Sequence, residues 1–202
     1  QFVNIGTEVY HRDFALLVAE AAYKRGASYV HIDFNDPRFA RQRILLSQSR
    51  NLSFVPSYVS AKSQELVELQ AANLRIIGSE NPDILSDLSP ERVNTARHHQ
   101  RLAMKYFYDE GVGKSKVHWT VAAAATPLWG KKVFPALSES EAEERLWEEI
   151  FHICRADSPQ AADIWKAHNE HLHQRSERLN SFKLKTLHFT GPGTDLRVGL
   201  SE

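Results

Sequence analysis

The chain of 202 residues holds one cysteine, Cys154, and one methionine, Met104. A lone cysteine excludes an internal disulfide framework and any multi-cysteine zinc finger, and it suits a reducing cytoplasm. No sign of charge is in excess, because 25 Lys and Arg balance 25 Asp and Glu. That excludes a strongly basic nucleic-acid binder or a polybasic membrane anchor, leaving only local patches. No apolar run approaches the ~18 residues of a membrane-spanning helix; the longest small-apolar stretch is residues 121–125. The phosphate-loop strings GxGxxG and GxxxxGK[ST] are absent, as is the His-Glu-x-x-His of zinc proteases. Gly113-Lys114-Ser115 lacks the first glycine at the required spacing and precedes a strand, so residues 111–115 read as a mobile loop.

What is present is alternation of helix and strand. Residues 1–5 alternate as a strand, and residues 13–24 carry Phe14, Leu17, Val18, Ala21 and Ala22 on one helical face. Gly26 follows as a stop, and residues 29–34 read as a second strand. Strand, helix, strand with short joints implies a parallel, right-handed crossover. Further helices are expected over residues 37–48, with Phe39 and Ile44 inward, and over 57–73, with Leu66, Leu69 and Ala72 apolar. Ser89, Pro90 and Glu91 open a helix to about residue 108 as cap, first-turn proline and dipole partner. Ser138 and Glu141 form a capping box for a helix to residue 153. A long helix opens at Ser158-Pro159, and its Trp165, Leu172 and Leu179 recur at seven as though packed on a neighbour. Strands are expected at 74–77, 117–123, 184–189 and 195–200. The expected fold is α/β: a largely parallel sheet flanked by helices, with a C-terminal antiparallel strand pair. Both ends lie inside strand-like segments and position 1 is Gln, so residues 1–202 are expected to be one domain of a longer chain.

Chemistry-bearing clusters are sparse. His168 and His171 share a helical face, but His173 points elsewhere, and the trio reads as solvated surface. His118 and all four tryptophans read as packing, and Cys154 as a small core residue. Lys131 and Lys132 read as a solvated pair. The most unusual string is Gly191-Pro192-Gly193-Thr194-Asp195, a turn by composition. Its Asp195 either accepts hydrogen bonds within the loop or belongs to the mouth of a neighbouring site. Composition and spacing alone describe an α/β domain without a complete catalytic set.

Three strings in order resemble one family. They are Trp119-Thr120-Val121-Ala122-Ala123 with Thr126-Pro127, Trp129-Gly130-Lys131-Lys132-Val133-Phe134-Pro135, and Gly191-Pro192-Gly193-Thr194-Asp195-Leu196-Arg197-Val198-Gly199-Leu200. With Leu146-Trp147-Glu148 and Arg178-Leu179-Asn180 between them, the chain resembles the N-terminal half of the thermophilic metalloprotease family, aminopeptidases of the T, S and PepS type. The resemblance implies a cytoplasmic, homodimeric exopeptidase that acts on peptides with two divalent metal ions: zinc, cobalt, manganese or magnesium. It implies a C-terminal metal-binding catalytic domain beyond this sequence, so no catalytic or metal-binding residue is assigned here. This segment would shape the substrate cleft and lack activity alone, with Gly191, Gly193, Thr194 and Asp195 nearest the cleft. Neither nucleic acid nor membrane is an expected partner. The competing readings are a non-catalytic protein-interaction module and a nucleotide-binding domain; the second lacks its phosphate loop.

Overall fold

The computed structural model describes residues 1–200. Contacts divide the chain into Gln1–Ile150 and a second unit from Phe151 onward. In the first unit, β1 (Phe2–Glu8) leads through α1 (Arg12–Lys24) to β2 (Tyr29–Asn35). Then α2 (Pro37–Leu46) and α3 (Ser57–Glu68) cross back to β3 (Ala72–Ile77). Next come α4 (Pro90–Ala103), β4 (His118–Ala123), α5 (Pro127–Val133) and α6 (Glu139–Ile153), whose last three residues fall in the second unit. The four strands form one parallel sheet in the order β2-β1-β3-β4. The second unit holds α7 (Ala161–Ser181) and an antiparallel hairpin of β5 (Thr186–Gly191) and β6 (Thr194–Gly199). The expected fold class is therefore the observed one.

Local chemistry explains the boundaries. Gly26, at φ +89°, closes α1: its N–H bonds to the Tyr23 carbonyl, and the Ala27 N–H to that of Ala22. That pair of bonds satisfies carbonyls the helix end would leave orphaned. Asp36 caps α2 by accepting from the Arg38 N–H at 2.8 Å, with Pro37 in the first turn. The capping box is present, since the Glu141 N–H donates to Ser138 Oγ while Ser138 N–H and Oγ both donate to Glu141 Oε2.

Several expectations are corrected. α3 stops at Glu68, not residue 73, because Gln70 adopts φ +48° and turns the chain into β3. Leu69 is thus a helix cap, and Ala72 begins a strand. β1 runs on to Glu8. α4 ends at Ala103 without a side-chain cap from Ser89. Residues 111–115 are not a free loop throughout, because Phe107–Val112 forms a π-helical turn in which Gly111 is buried. α5 was not foreseen, and α7 begins at Ala161, beyond Ser158-Pro159. Phe39, His118, Trp119, Cys154 and Trp165 are exposed where packing was expected, while Trp129 and Trp147 are half-buried. β4 is an edge strand and a helix buries only one stripe, which leaves Trp119 on β4 and Phe39 on α2 without cover.

The core lies in the first unit. Ile5, Ala15, Ala19, Ile76 and Ala124 pack together, flanked by Phe14, Val18 and Trp147. A second cluster joins Leu66, Val67, Ala71, Phe107 and Val117, and a third joins Ile44, Val93 and Ala96. Burying a side chain such as Ile5 or Ile76 stabilises by about 1.5–3 kcal/mol.

Candidate functional site

The strand order reverses direction between β1 and β3, since β1 is followed by β2 on one side and β3 by β4 on the other. In open parallel sheets, such a reversal opens a crevice beyond the carboxyl ends of the strands. Here that edge is tied shut by internal hydrogen bonds. His11, which follows β1 and is buried, donates from Nε2 to the Gly78 carbonyl at 2.6 Å. A Cβ at Gly78 would lie 1.9 Å from the Ala124 carbonyl oxygen, and its φ is +150°. Only glycine allows this approach. The Glu80 N–H donates to Glu8 Oε2 at 3.2 Å. Thr126, wholly buried, donates to the Ser79 carbonyl at 2.7 Å and accepts from the Trp129 N–H as the cap of α5. Tyr10 donates to Glu143 at 3.0 Å. Burial, that hydrogen bond, and the nearby Glu143 and Glu80 charges push its phenol up to about 12. Sequence reading did not single out Tyr10, His11, Gly78 or Glu143 as an assembly. The Thr126-Pro127 pair was one visible signal.

The residues expected nearest a cleft lie in the β5–β6 hairpin. Gly191 pairs with Thr194, so Pro192 and Gly193 form a two-residue loop. Pro192 forbids the positive φ that the mirror-image hairpin turns need at that position. With Gly193 at φ +72°, the loop has the pattern of a type II turn. His188 Nε2 donates to Asp195 Oδ1 at 2.6 Å, diagonally across the strands. A Cβ at Gly191 would meet no atom within 4 Å, so only Gly193 is held to glycine, by its φ.

The other sequence candidates are accounted for. His171 and His173 are exposed on α7 and His168 is half-buried; His173 faces Glu177 at 3.2 Å. Lys131 donates to the Pro135 and Leu137 carbonyls, and Lys132 pairs with Asp83 at 2.5 Å. A groove of ≈ 770 Å³ runs between α3 and the edge strand β2, lined by Phe2, Tyr29, His31, Tyr58 and Lys62 among others. Beside it, burial pushes the Asp33 carboxyl up, but hydrogen bonds and charge from Lys62 and His31 outweigh this and hold it below the ordinary range. Among the described residues, no three His, Cys, Asp or Glu side chains gather as a metal-binding group. No helix among them is long and apolar enough to cross a membrane.

The thermophilic metalloprotease (M29) family matches residues 1–202. The chain belongs to this family. It is 39% identical over 190 residues to aminopeptidase T of Thermus thermophilus, covering 94% of this chain and 46% of that protein. It is 35% identical over 201 residues to aminopeptidase PepS of Streptococcus thermophilus, covering 98% of this chain and 48% of that one. The solved structure of wild-type AmpT from Thermus thermophilus superposes with a TM-score of 0.86 at 38% identity, over 99% of this chain and 49% of that chain. The chain thus spans about half the length of these thermophilic metalloprotease relatives. Family membership implies a divalent metal, but the residues described here do not fit one, because they bring no third ligand to any His, Asp or Glu pair.

Proposed function

We propose that this chain is the N-terminal α/β domain of a metal-dependent aminopeptidase, which hydrolyses N-terminal residues from peptides. The observation that carries this reading is the match of nearly the whole chain, at 35% and 39% identity, to aminopeptidases about twice its length. Two divalent metal ions and the groups that bind them belong to the part of the polypeptide outside this sequence. The segment described here walls the substrate cleft and is inactive alone. Gly191, Gly193, Thr194 and Asp195 form the part of the wall nearest the substrate, on a turn stiffened by Pro192. The enzyme works as a homodimer in the cytoplasm.

The test compares the full-length protein with the 202-residue chain on aminoacyl-p-nitroanilides and short peptides. The full-length protein is expected to release N-terminal residues, to lose activity on exhaustive chelation, and to regain it with zinc, cobalt, manganese or magnesium. The 202-residue chain is expected to be inactive throughout. Full-length activity that survives chelation, or inactivity with every metal, overturns the reading. In the full-length enzyme, Asp195→Ala releases His188 and should lower kcat/KM for peptides by roughly 10–100-fold, the range expected when a wall is misplaced. Unchanged kinetics and melting temperature would remove Asp195 from the cleft.

A further inference from the structure

The second unit has apolar surface but no core. None of residues 151–200 is buried. A helix of 21 residues draws most of its stability from packing an apolar face, yet α7 leaves Ile164, Trp165, Leu172 and Leu179 exposed, as is Phe182 at its C-cap. These residues follow a helical repeat and lie along one stripe. The hairpin divides just as cleanly. Residues directly opposite in an antiparallel pair share a face, and the pairs Leu187–Val198 and Phe189–Leu196 put four apolar side chains on one side. The pairs His188–Arg197 and Thr190–Asp195 put polar groups on the other. A two-stranded hairpin alone is marginal in water, and one apolar face normally rests on a core.

Two observations bear on what covers these faces. The AmpT chain matched over 99% of this sequence contains about as much polypeptide again, since the match spans 49% of it. The same elements therefore occur in a relative that has a further half to pack against them. The polar side of the hairpin already pairs internally through His188 and Asp195, so the apolar side is the one left to be covered.

We infer that the α7 stripe and the apolar face of the β5–β6 hairpin form the surface on which the remaining half of the polypeptide packs. This rests on the reading of the chain as one domain of a longer aminopeptidase. It also deepens that reading, because the turn at residues 191–195 is then held at the boundary between the halves. The occupant is apolar surface of the same chain, not a second copy.

Hydrogen–deuterium exchange on the full-length protein tests this. Amides of Ala161–Ser181 and of both hairpin strands are expected to exchange at least about 10³-fold slower than in an unstructured peptide. The double variant Leu172→Asp, Leu179→Asp, and separately Phe189→Ser, should restore fast exchange there while β1 to β4 stay protected. Gln174→Asp, on the opposite side of α7, should change nothing. Fast exchange in the unsubstituted protein overturns the inference, as does an equal effect of Gln174→Asp or loss of protection throughout the first unit. Sedimentation velocity separates the other occupant: if the apolar substitutions turn a dimer into a monomer as protection is lost, the surface joins two copies and the inference fails. A gene product no longer than 202 residues also overturns it. A protected but catalytically inactive full-length protein sinks the aminopeptidase reading and leaves the interface standing. An active protein with fast-exchanging α7 sinks the interface alone.

Discussion

Ser63 shows how one polar atom organises its surroundings. It is wholly buried in α3, where its Oγ accepts the Phe107 N–H at 3.0 Å. That bond ties the π-helical turn at Phe107–Val112 to the cluster of Leu66, Val67 and Ala71. Ser63→Ala leaves a dry N–H and should cost about 1–3 kcal/mol in urea-induced unfolding. A loss below about 0.5 kcal/mol would mean that the amide finds another partner. Nothing in the sequence marks Ser63, because its partner lies 44 residues away. Gly130 was visible only as part of a family-like string. Its reason is steric, since a Cβ there would lie 2.6 Å from the Ala142 backbone where α5 meets α6.

At the scale of elements, the end of α3 is the instructive case. The N–H of Ala71 bonds to Leu66 O and that of Gln70 to Val67 O, each at 3.0 Å. This repeats the closing pattern of α1, but with Gln70 at φ +48° where α1 uses Gly26. A left-handed non-glycine residue costs roughly 1–2 kcal/mol, partly offset by the chain entropy a glycine would lose. Gln70→Gly should therefore stabilise the protein by about 0.5–1 kcal/mol, raising its melting temperature by a few degrees. No gain in melting temperature would show that the exposed Gln70 side chain has compensating contacts. The stop after α1 was legible because glycine announces it. The stop after α3 was not, because tertiary packing of Leu66, Val67 and Ala71 imposed the conformation on a residue that does not advertise it.

For the whole molecule, burial is unevenly shared. Among the described residues, every buried one lies at or before Leu146. A chain ending after Ile153 keeps α6 whole and should still unfold in one cooperative thermal transition. A broad, probe-dependent melt of that shortened chain would show that the three clusters do not suffice. The tryptophans do not follow residue type either. Trp119 is 59% exposed and Trp165 is 41% exposed, so aromatic character alone did not place them inside.

The amino-acid sequence by itself determined most of the helices and strands, the parallel βαβ opening, the capping box at Ser138, and the closing hairpin. These depend on period, cap chemistry and turn residues, all of which act over a few positions. It also carried the family strings, although the reason for each lay elsewhere. Only the tertiary structure decided the strand order, the end of α3, the sealing of the sheet edge by His11, Gly78 and Thr126, and the pairing of His188 with Asp195. Those outcomes depend on which surfaces meet, and the partners in the sealed edge lie 47 and 67 residues apart in the chain. Local propensity carries no record of such distances, whereas packing and hydrogen-bond satisfaction do.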